Sequence, residues 1–337
     1  MTGVVERLKK RWFLISLVIV FSVGLVFHDS LTPIPEMKLL RSTIVFVVLY
    51  LMALPLSLKA ISSGLRRPAG ALLSIVMNYG LLPLVAYAVS LAITDAQVSK
   101  GLLVAAVTPC TLASASVWTR KAGGNDSVSI LVTLLTNLLC FLIAPLWLLF
   151  YFGSSEGAEA ISINAMVVKL GTLVVLPMAL AQITRVHKPT ATWSTDHKKY
   201  FSIAAQCGIL SMVFMGAIKV APELIAAGTN KGLMLVLVTV VSVLVVHSSV
   251  FWVGLWTGKA LQLPREDYIA VGFAGSQKTL MVGLLICMEL KVLVIPMVLY
   301  HVCQLFIDTI FADHLVEQTK AEDGDEAHVE SQSVESP

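Results

Sequence analysis

A polar stretch, AGSQKT at residues 274–279, interrupts a long apolar segment near the C-terminal end of the chain. A lysine at such a depth is costly in hydrocarbon, so Lys278 indicates an ion, a substrate or a buried partner. A second interruption begins with TPCT at residues 108–111 and extends to Asn125. Two interrupted membrane segments in matching halves of a chain indicate the binding site of a transporter.

The composition excludes a soluble protein, and the sequence lacks the motifs that identify common classes of enzyme. Of the 337 residues, 57% are hydrophobic and 13% are charged, and the mean hydropathy is +0.84, whereas a soluble domain carries roughly 25% charged residues. The partner predicted from this composition is a lipid bilayer, and a net charge of +3 is too small to indicate nucleic acid. The sequence contains no His-Glu-x-x-His, Gly-x-Ser-x-Gly or Walker phosphate-loop motif. We therefore predict neither an enzyme nor a cofactor, apart from a coupling ion.

The apolar stretches predict an all-α polytopic membrane protein with about ten transmembrane helices, since each crossing needs about 20 residues. Lysine and arginine are more numerous in the loops on the side of the two termini. This asymmetry places both termini in the cytoplasm, for insertion in a plasma or bacterial inner membrane. The predicted spans are 12–28, 42–60, 70–94, 99–119, 126–152, 163–184, 200–220, 231–257, 267–289 and 292–312.

The connection at residues 185–199 divides the ten spans into five and five. An odd number of helices per half gives the halves opposite orientations, as in inverted repeats. We predict a single transporter domain over 1–312, with repeat one at about 12–152 and repeat two at about 163–312. The interrupted spans four and nine are partners under this symmetry and would cross. Residues 313–337 are acidic and polar, and they predict a disordered cytoplasmic tail.

The first interruption supplies groups that suit a cation. Pro109 cannot donate a backbone hydrogen bond, so it exposes carbonyl oxygens of the preceding turn. Broken backbone is tolerated in a membrane only where it lines a cavity or is buried in protein. Freed carbonyls and hydroxyls are oxygen ligands for Na⁺, while a half-helix N-terminus suits an anionic group. The alternative to a cation site is a proline kink that is packed against neighbouring helices. The hydroxyls belong to Thr108, Thr111, Ser114, Ser116 and Thr119.

This pattern resembles the bile acid:sodium symporter superfamily, which has ten spans, inverted five-helix repeats and crossed helices four and nine. The resemblance implies a first cation site formed with Gln277 and a second near Asn78 and Gln277, with sodium as the cation at both. The crossing backbone would include Thr108, Pro109, Thr111, Gly275 and Ser276. The first site would comprise Ser114, Ser116, Thr119, Asn125, Ser129 and Thr133; a one-residue offset puts Ala115 or Ser116 where the family usually has asparagine.

The second interruption departs from the bacterial bile-acid pattern. Phe273 stands where that pattern has a glutamate, four residues before Gln277. The GSQKT string instead resembles the divergent branch typified by solute carrier family 10, member 7, whose substrates are poorly defined and whose eukaryotic members are linked to calcium regulation. Without the carboxylate, two cations beside an ammonium would repel strongly. We therefore hypothesise that Lys278 replaces one sodium ion. The alternative is a lysine that snorkels to the membrane surface or is structurally paired, with Asp126 or Glu289 as its partner.

The predicted function is secondary active transport, by sodium-coupled symport, of a small organic anion through alternating access. One alternative is a proton-coupled or uncoupled carrier in which Lys278 replaces a sodium ion and can release its own proton. Another is a membrane regulator of calcium homeostasis that no longer transports, in which the tail would matter more than Asn78 or Gln277. The sequence predicts no particular solute, direction of flux or oligomeric state.

Overall fold

The computed structural model describes residues 12–56, 58–66, 68–153 and 163–334. Within these ranges every regular element is helical and no strand is present, so the prediction of an all-α chain is confirmed. Two short π-helical segments, Met77–Leu81 and Gly171–Val175, join α6 to α7 and α11 to α12. In chain order the helices are α1 Trp12–Val26, α2 His28–Leu31, α3 Pro33–Glu36, α4 Lys38–Ala53, α5 Leu58–Leu65, α6 Pro68–Val76, α7 Leu82–Ser90, α8 Ala96–Val107, α9 Ser114–Lys121, α10 Asp126–Phe152, α11 Ile163–Leu170, α12 Leu176–Val186, α13 Lys188–Asp196, α14 Lys198–Ala260, α15 Arg265–Ser276, α16 Leu280–Glu289 and α17 Ile295–Val334.

Seven helical stretches in the described ranges are long and apolar enough to cross a membrane. An eighth candidate consists of two helices, Ile15–Val26 and His28–Glu36, which meet at 89°. The polytopic character is thus confirmed, while ten spans in two inverted halves stay a prediction. The seven stretches are Pro68–Ser90, Asp126–Phe152, Ile163–Val186, Lys198–Pro222, Asn230–Ala260, Arg265–Glu289 and Ile295–Thr319.

The long helix α14 contains two of these candidate spans. It is interrupted at Gly228, where φ is 75° and ψ is 165°. This is the left-handed side of φ space, which glycine adopts without the steric cost that a Cβ would bring. The glycine therefore separates the seventh predicted span from the eighth.

Two helices break where the sequence predicts interruptions. The backbone leaves helical geometry at Thr108, with ψ at 155°, and helix resumes at Ser114. The second break covers residues 277–279, and both Gln277 and Thr279 are extended. Pro109 explains the first break, because it has no N–H to continue the helix. The second contains no proline, so tertiary partners must hold its backbone open.

The second broken segment lies at the centre of the molecule. In Arg265–Glu289 the whole of the most apolar window is buried, compared with 28% to 50% in the other six candidate spans. A helix that is covered on all sides contacts protein and not lipid. The break at 277–279 is therefore enclosed by other helices.

The last helix, α17, packs closely on both broken segments. A Cβ on Gly101 of α8 would lie 2.6 Å from the Pro296 Cγ and 2.8 Å from the Leu293 carbonyl oxygen. A Cβ on Gly283 of α16 would collide with the side chain of Met297. These two glycines allow α17 to approach the backbones of α8 and α16.

Helix α17 continues past residue 312, where the acidic tail was predicted to begin, and Leu315 is buried. The disorder of the tail and its cytoplasmic location stay predictions. The basic N-terminal residues 7–11 and the end of the tail at 335–337 lie outside the described residues.

Candidate functional site

The two helix breaks contact each other directly. The Thr279 backbone N–H donates to the Pro109 carbonyl oxygen at 2.9 Å, which joins one break to the other through the main chain. A buried backbone group without a partner is costly, and each break leaves several such groups. Each interrupted backbone therefore satisfies part of the other, and the remaining groups are satisfied by side chains around them.

Lys278 is fully buried at this contact, with 0% of its surface exposed. Its ammonium donates to the Asn78 carbonyl oxygen at 2.7 Å, the Asn78 Oδ1 at 2.9 Å and the Thr108 carbonyl oxygen at 2.8 Å. The Tyr79 ring lies 5.4 Å from the Nζ. Three N–H donors thus meet three uncharged oxygens, a set of ligands that would also suit a metal cation.

Asn78 connects the lysine to the second break. It lies in the π-helical segment Met77–Leu81. Its Oδ1 accepts from Lys278, while its Nδ2 donates to the carbonyl oxygens of Ala274 at 3.1 Å and Gln277 at 3.0 Å. Short π-helical insertions are frequently found at functional sites, because they rotate side chains out of the regular helical positions.

Gln277 joins the first break to the last helix. Its Oε1 accepts from the Thr111 hydroxyl at 2.7 Å and from the Ser114 hydroxyl at 2.8 Å. Its Nε2 donates to the Asp308 Oδ2 at 2.6 Å. The amide is thus fixed in orientation, with its oxygen toward α9 and its nitrogen toward a buried carboxylate.

Gln304 closes the backbone of the second break on the other side. Its Oε1 accepts from the Lys278 backbone N–H at 2.8 Å, and its Nε2 donates to the Lys278 carbonyl oxygen at 2.9 Å. A primary amide can make this pair of bonds because it resembles a peptide group. Gln304 therefore replaces the helical hydrogen bonds that Lys278 cannot make.

Two neighbouring residues shape the second break. The carbonyl oxygen of Ser276 accepts from the Tyr300 hydroxyl at 3.1 Å, and the Ser276 hydroxyl donates to the Gly272 carbonyl at 2.8 Å. A Cβ on Gly275 would lie 2.8 Å from the Met77 Cβ, so only glycine permits this approach of α15 to the π-helical segment.

Asp308 is a site residue that sequence reasoning missed. It is fully buried and bonds both Gln277 and His247, whose Nε2 lies 2.8 Å from the Asp308 Oδ1. The sequence carries a signal for it, because His301, Gln304 and Asp308 are spaced three and four residues apart. Residues at this spacing share one helix face, and this polar face is turned toward the second break.

The residues predicted to form the first cation site fall into several separate contacts. Ser114 bonds Gln277, whereas Thr119 and Ser129 bond each other at 2.7 Å. Asn125 donates to the Asp267 Oδ1 at 2.8 Å and caps α10 by accepting from a backbone N–H. The remaining two bond backbone carbonyl oxygens: Thr133 donates to that of Thr111 at 2.9 Å, and the half-buried Ser116 donates to that of Ala113.

The carboxylates suggested from the sequence as partners of Lys278 are not its partners. Asp126 pairs with Arg120 at the end of α9. Glu289 pairs with Arg41 at 3.6 Å and with Lys169. Both lie near ends of helices, where charged side chains can reach other charged groups, while Lys278 lies at the buried break. Among the described residues no carboxylate forms an ion pair with Lys278.

The sequence profile of the SBF-like CPA transporter family matches residues 11–317. The chain belongs to this family. It is 21% identical to sodium/bile acid cotransporter 7-B of Xenopus laevis, over 91% of this chain and 92% of the relative. It is 22% identical to sodium/bile acid cotransporter 7 of Danio rerio, over 91% and 94%. It is also 28% identical to a rice (Oryza sativa subsp. indica) protein named "Probable sodium/metabolite cotransporter BASS4, chloroplastic", over 63% and 53%.

Membership of the SBF-like CPA transporter family confirms the resemblance to bile acid:sodium symporters and to the branch of solute carrier family 10, member 7. The chain is therefore an integral membrane transporter of a small solute and not an enzyme. In this SBF-like transporter, the contact between the two breaks is the candidate transport site, because it holds the buried charged groups Lys278 and Asp308.

Proposed function

We propose that this chain is a secondary transporter that moves a small organic anion by alternating access, with Lys278 in the place of one coupling cation. In the proposed architecture ten spans form two inverted halves, and the broken spans four and nine cross at the middle of the membrane. The observation that carries the proposal is the buried ammonium of Lys278, held by three uncharged oxygens where the two breaks meet.

A positive charge at this point has an electrostatic reason. Helix α8 ends at Val107 and helix α15 ends at Ser276, so the C-terminal ends of two helices come together at the breaks. The partial negative charge of each helix end favours a nearby cation. Lys278 donates to the Thr108 carbonyl oxygen, immediately after the end of α8. A cation that is part of the chain would hold the crossing together without binding an ion from solution.

The same geometry favours an anionic solute. Helices α9 and α16 begin on the far sides of the two breaks, at Ser114 and Leu280, and their N-terminal ends carry partial positive charge. The described charged groups at the contact are one lysine and one aspartate, with His247 as a further titratable group. The solute would bind between the crossing and the helices that surround it.

Sodium-coupled symport is a second candidate, and one contact favours it. The Gln277 Oε1, the Thr111 hydroxyl and the Ser114 hydroxyl lie within hydrogen-bond distance of one another, and Asp308 adds a carboxylate on the other side of Gln277. These are oxygen ligands of the kind that hard cations prefer. The relatives named as sodium cotransporters support this candidate too.

The proposed location is a plasma or bacterial inner membrane, with both termini in the cytoplasm. The support is the asymmetry of lysine and arginine between the two sets of loops, since positively charged loops tend to stay on the cytoplasmic side.

The proposal is tested by solute accumulation in proteoliposomes. Vesicles with the full chain would be incubated with an extract of small metabolites, and mass spectrometry would identify what they retain. We expect one or a few organic anions to accumulate with the wild type and not with Lys278→Ala. The control is Thr172→Ala, since Thr172 is exposed and bonds only its own helix. Retention of the same solutes by empty vesicles, or equal accumulation by Lys278→Ala, would overturn the proposal.

A further inference from the structure

A second group of charged side chains lies at the far end of α16, about 15 Å from the break, because this helix has ten residues that rise about 1.5 Å each. Three cations meet there, and we call them the basic cluster: Arg41 of α4, Lys169 of α11 and Lys219 of α14. Arg41 and Lys169 pair with the carboxylate of Glu289, while Lys219 donates to the Met288 carbonyl oxygen at 3.3 Å. Charged groups within membrane helices are costly and commonly mark the path of an ion or a substrate.

The guanidinium of Arg41 is almost fully buried, yet its hydrogen-bonding capacity is unused. The side chain is 6% exposed, and its Nη2 lies 3.6 Å from the Glu289 Oε1. A charge-assisted hydrogen bond is shorter, at about 2.7–2.9 Å. Within the part of the chain that the structure describes, the guanidinium donates no hydrogen bond. Its N–H groups form a planar fork that matches two oxygens of one carboxylate or phosphate group.

Positive charge exceeds negative charge at this place. The basic cluster carries three positive charges and Glu289 one negative charge, and Lys219 is close enough to both Arg41 and Glu289 to interact with them electrostatically. The C-terminal end of α16 adds only about half a negative charge. Glu36 and Lys291 also act on Lys219, with opposite signs. Pairing with Glu289 and with the helix end therefore leaves more than one positive charge to be balanced.

The cluster can be reached from outside the protein. The side chains of Lys169 and Glu289 are 30% and 22% exposed, whereas Arg41 is more deeply buried. In the proposed topology the predicted span 267–289 ends on the side away from the cytoplasm. The same segment holds the break at its middle, so a solute arriving from that side would meet the cluster before the crossing.

We propose that the basic cluster is the capture site for the transported anion and that this anion is a small oxyanion with two negative charges, a dicarboxylate or a phosphate. This inference rests on the proposed function and names the class of its solute. Arg41 would bind two oxygens through its fork, and the two lysines would donate to the others. Glu289 would act as a counter-ion that competes with the anion, which keeps binding weak enough for the solute to move on.

Binding is tested on the purified full chain with succinate as the probe, added as its choline salt at low millimolar concentration against choline chloride of equal ionic strength. Succinate should raise the melting temperature, because a ligand of the native state stabilises it. We expect Arg41→Gln and, independently, Lys169→Gln to raise the Kd by about tenfold or more. Glu289→Gln should lower the Kd, because the competing carboxylate is gone.

The opposite direction of the Glu289→Gln effect separates ligand binding from a merely structural role of the ion pairs. The matched control is Lys121→Gln, which removes an exposed lysine from its ion pair with Asp313 and should leave the Kd unchanged. An unchanged Kd in both Arg41→Gln and Lys169→Gln, or weaker binding by Glu289→Gln, would overturn the inference.

A second arm distinguishes a soluble anion from a lipid headgroup. The titration is repeated in nanodiscs of phosphatidylcholine and of phosphatidylglycerol. Stabilisation by succinate in phosphatidylcholine supports capture of a soluble anion. Stabilisation by phosphatidylglycerol without any response to succinate would overturn the inference, because the cluster would then hold a lipid.

Transport separates the failure of this inference from the failure of the proposed function. In proteoliposomes, Arg41→Gln and Lys169→Gln should raise the KM for the transported anion by about tenfold and leave the steady-state accumulation ratio unchanged, because a capture site does not alter the driving force. Accumulation by the wild type with the same KM in both variants would overturn the inference alone. Binding of succinate without accumulation of any solute would overturn the proposed function and the transport role of the cluster.

Discussion

Replacing Lys278 by alanine removes the ammonium from three oxygens that are buried with it. The carbonyl oxygens of Asn78 and Thr108 and the Asn78 Oδ1 each lose a donor at 2.7 to 2.9 Å. A buried acceptor left without a partner costs about 1–3 kcal/mol. Alanine also removes the cost of burying the ammonium, so we take the lowest value for each acceptor. The three together give a destabilisation of about 3 kcal/mol.

The same substitution opens a space lined by three oxygens, which is suited to a sodium ion. If Lys278 occupies the position of a cation, sodium should stabilise Lys278→Ala by mass action, by about 2.7 kcal/mol at a concentration 100 times its Kd. The assay is the melting temperature of the purified full chain in sodium, potassium and choline. We expect Lys278→Ala to melt below the wild type in choline and to recover most of the difference in sodium.

The control for this prediction is Lys219→Ala, which removes a partly buried lysine that donates to the Met288 carbonyl oxygen away from the breaks. This variant should show the same small sodium response as the wild type. Equal melting temperatures of Lys278→Ala in sodium and in choline would refute the idea that the lysine stands in for a cation.

Two further predictions concern the packing and the charges around the site. Gly101→Ala should destabilise the protein by about 1–3 kcal/mol through overpacking against α17. Gly232→Ala, with nothing within 4 Å of the new Cβ, should be neutral or stabilising. Thermal unfolding in detergent compares the two variants, and equal effects would contradict the packing described. Glu289→Gln should cost about 1–3 kcal/mol, since it leaves Arg41, 5% exposed, without the carboxylate of Glu289. Asp313→Asn, which breaks an exposed ion pair, should change stability by less than about 1 kcal/mol, and a loss as large as that of Glu289→Gln would oppose this reasoning.

The breaks were predictable from the sequence, for different reasons at the two places. Pro109 and the hydroxyl residues after it mark the first break by the loss of a backbone donor and by their polarity. The second break has no proline, and its signal was the depth of Lys278 in apolar sequence. Both signals depend only on the order of residues along one segment, which is why sequence patterns can show them.

The partners of Lys278 were not predictable in the same way. Two of its three acceptors are backbone carbonyl oxygens, at Asn78 and Thr108, and every residue has such an oxygen. These two carbonyl oxygens become acceptors of Lys278 only because three segments that are distant in the sequence approach one another. A carboxylate is the usual partner of a buried lysine, and the sequence offers Asp126 and Glu289, which the structure assigns to other partners.

The burial of Asp308 is a second feature that the order of residues does not reveal. It lies near the end of the last predicted span, where an acidic residue is ordinarily read as facing water. Helix α17 extends well beyond that span, so Asp308 lies in the interior of the helix and not at its end, and its side chain is fully buried. The residues predicted for the first cation site lie in separate contacts for a related reason, because each follows the direction of its own segment: Thr119 and Ser129 bond each other, while Asn125 bonds Asp267.

The role of Lys278 is tested most directly by solute accumulation measured with different ions in the medium. Wild-type and Lys278→Ala proteoliposomes would be compared in sodium and in choline, with and without an inward pH gradient, using the anion identified from the metabolite extract. We expect the wild type to accumulate this anion under at least one of these conditions and Lys278→Ala to accumulate none of it in choline. Accumulation by Lys278→Ala in choline to the same ratio as the wild type would contradict the proposed role of the lysine.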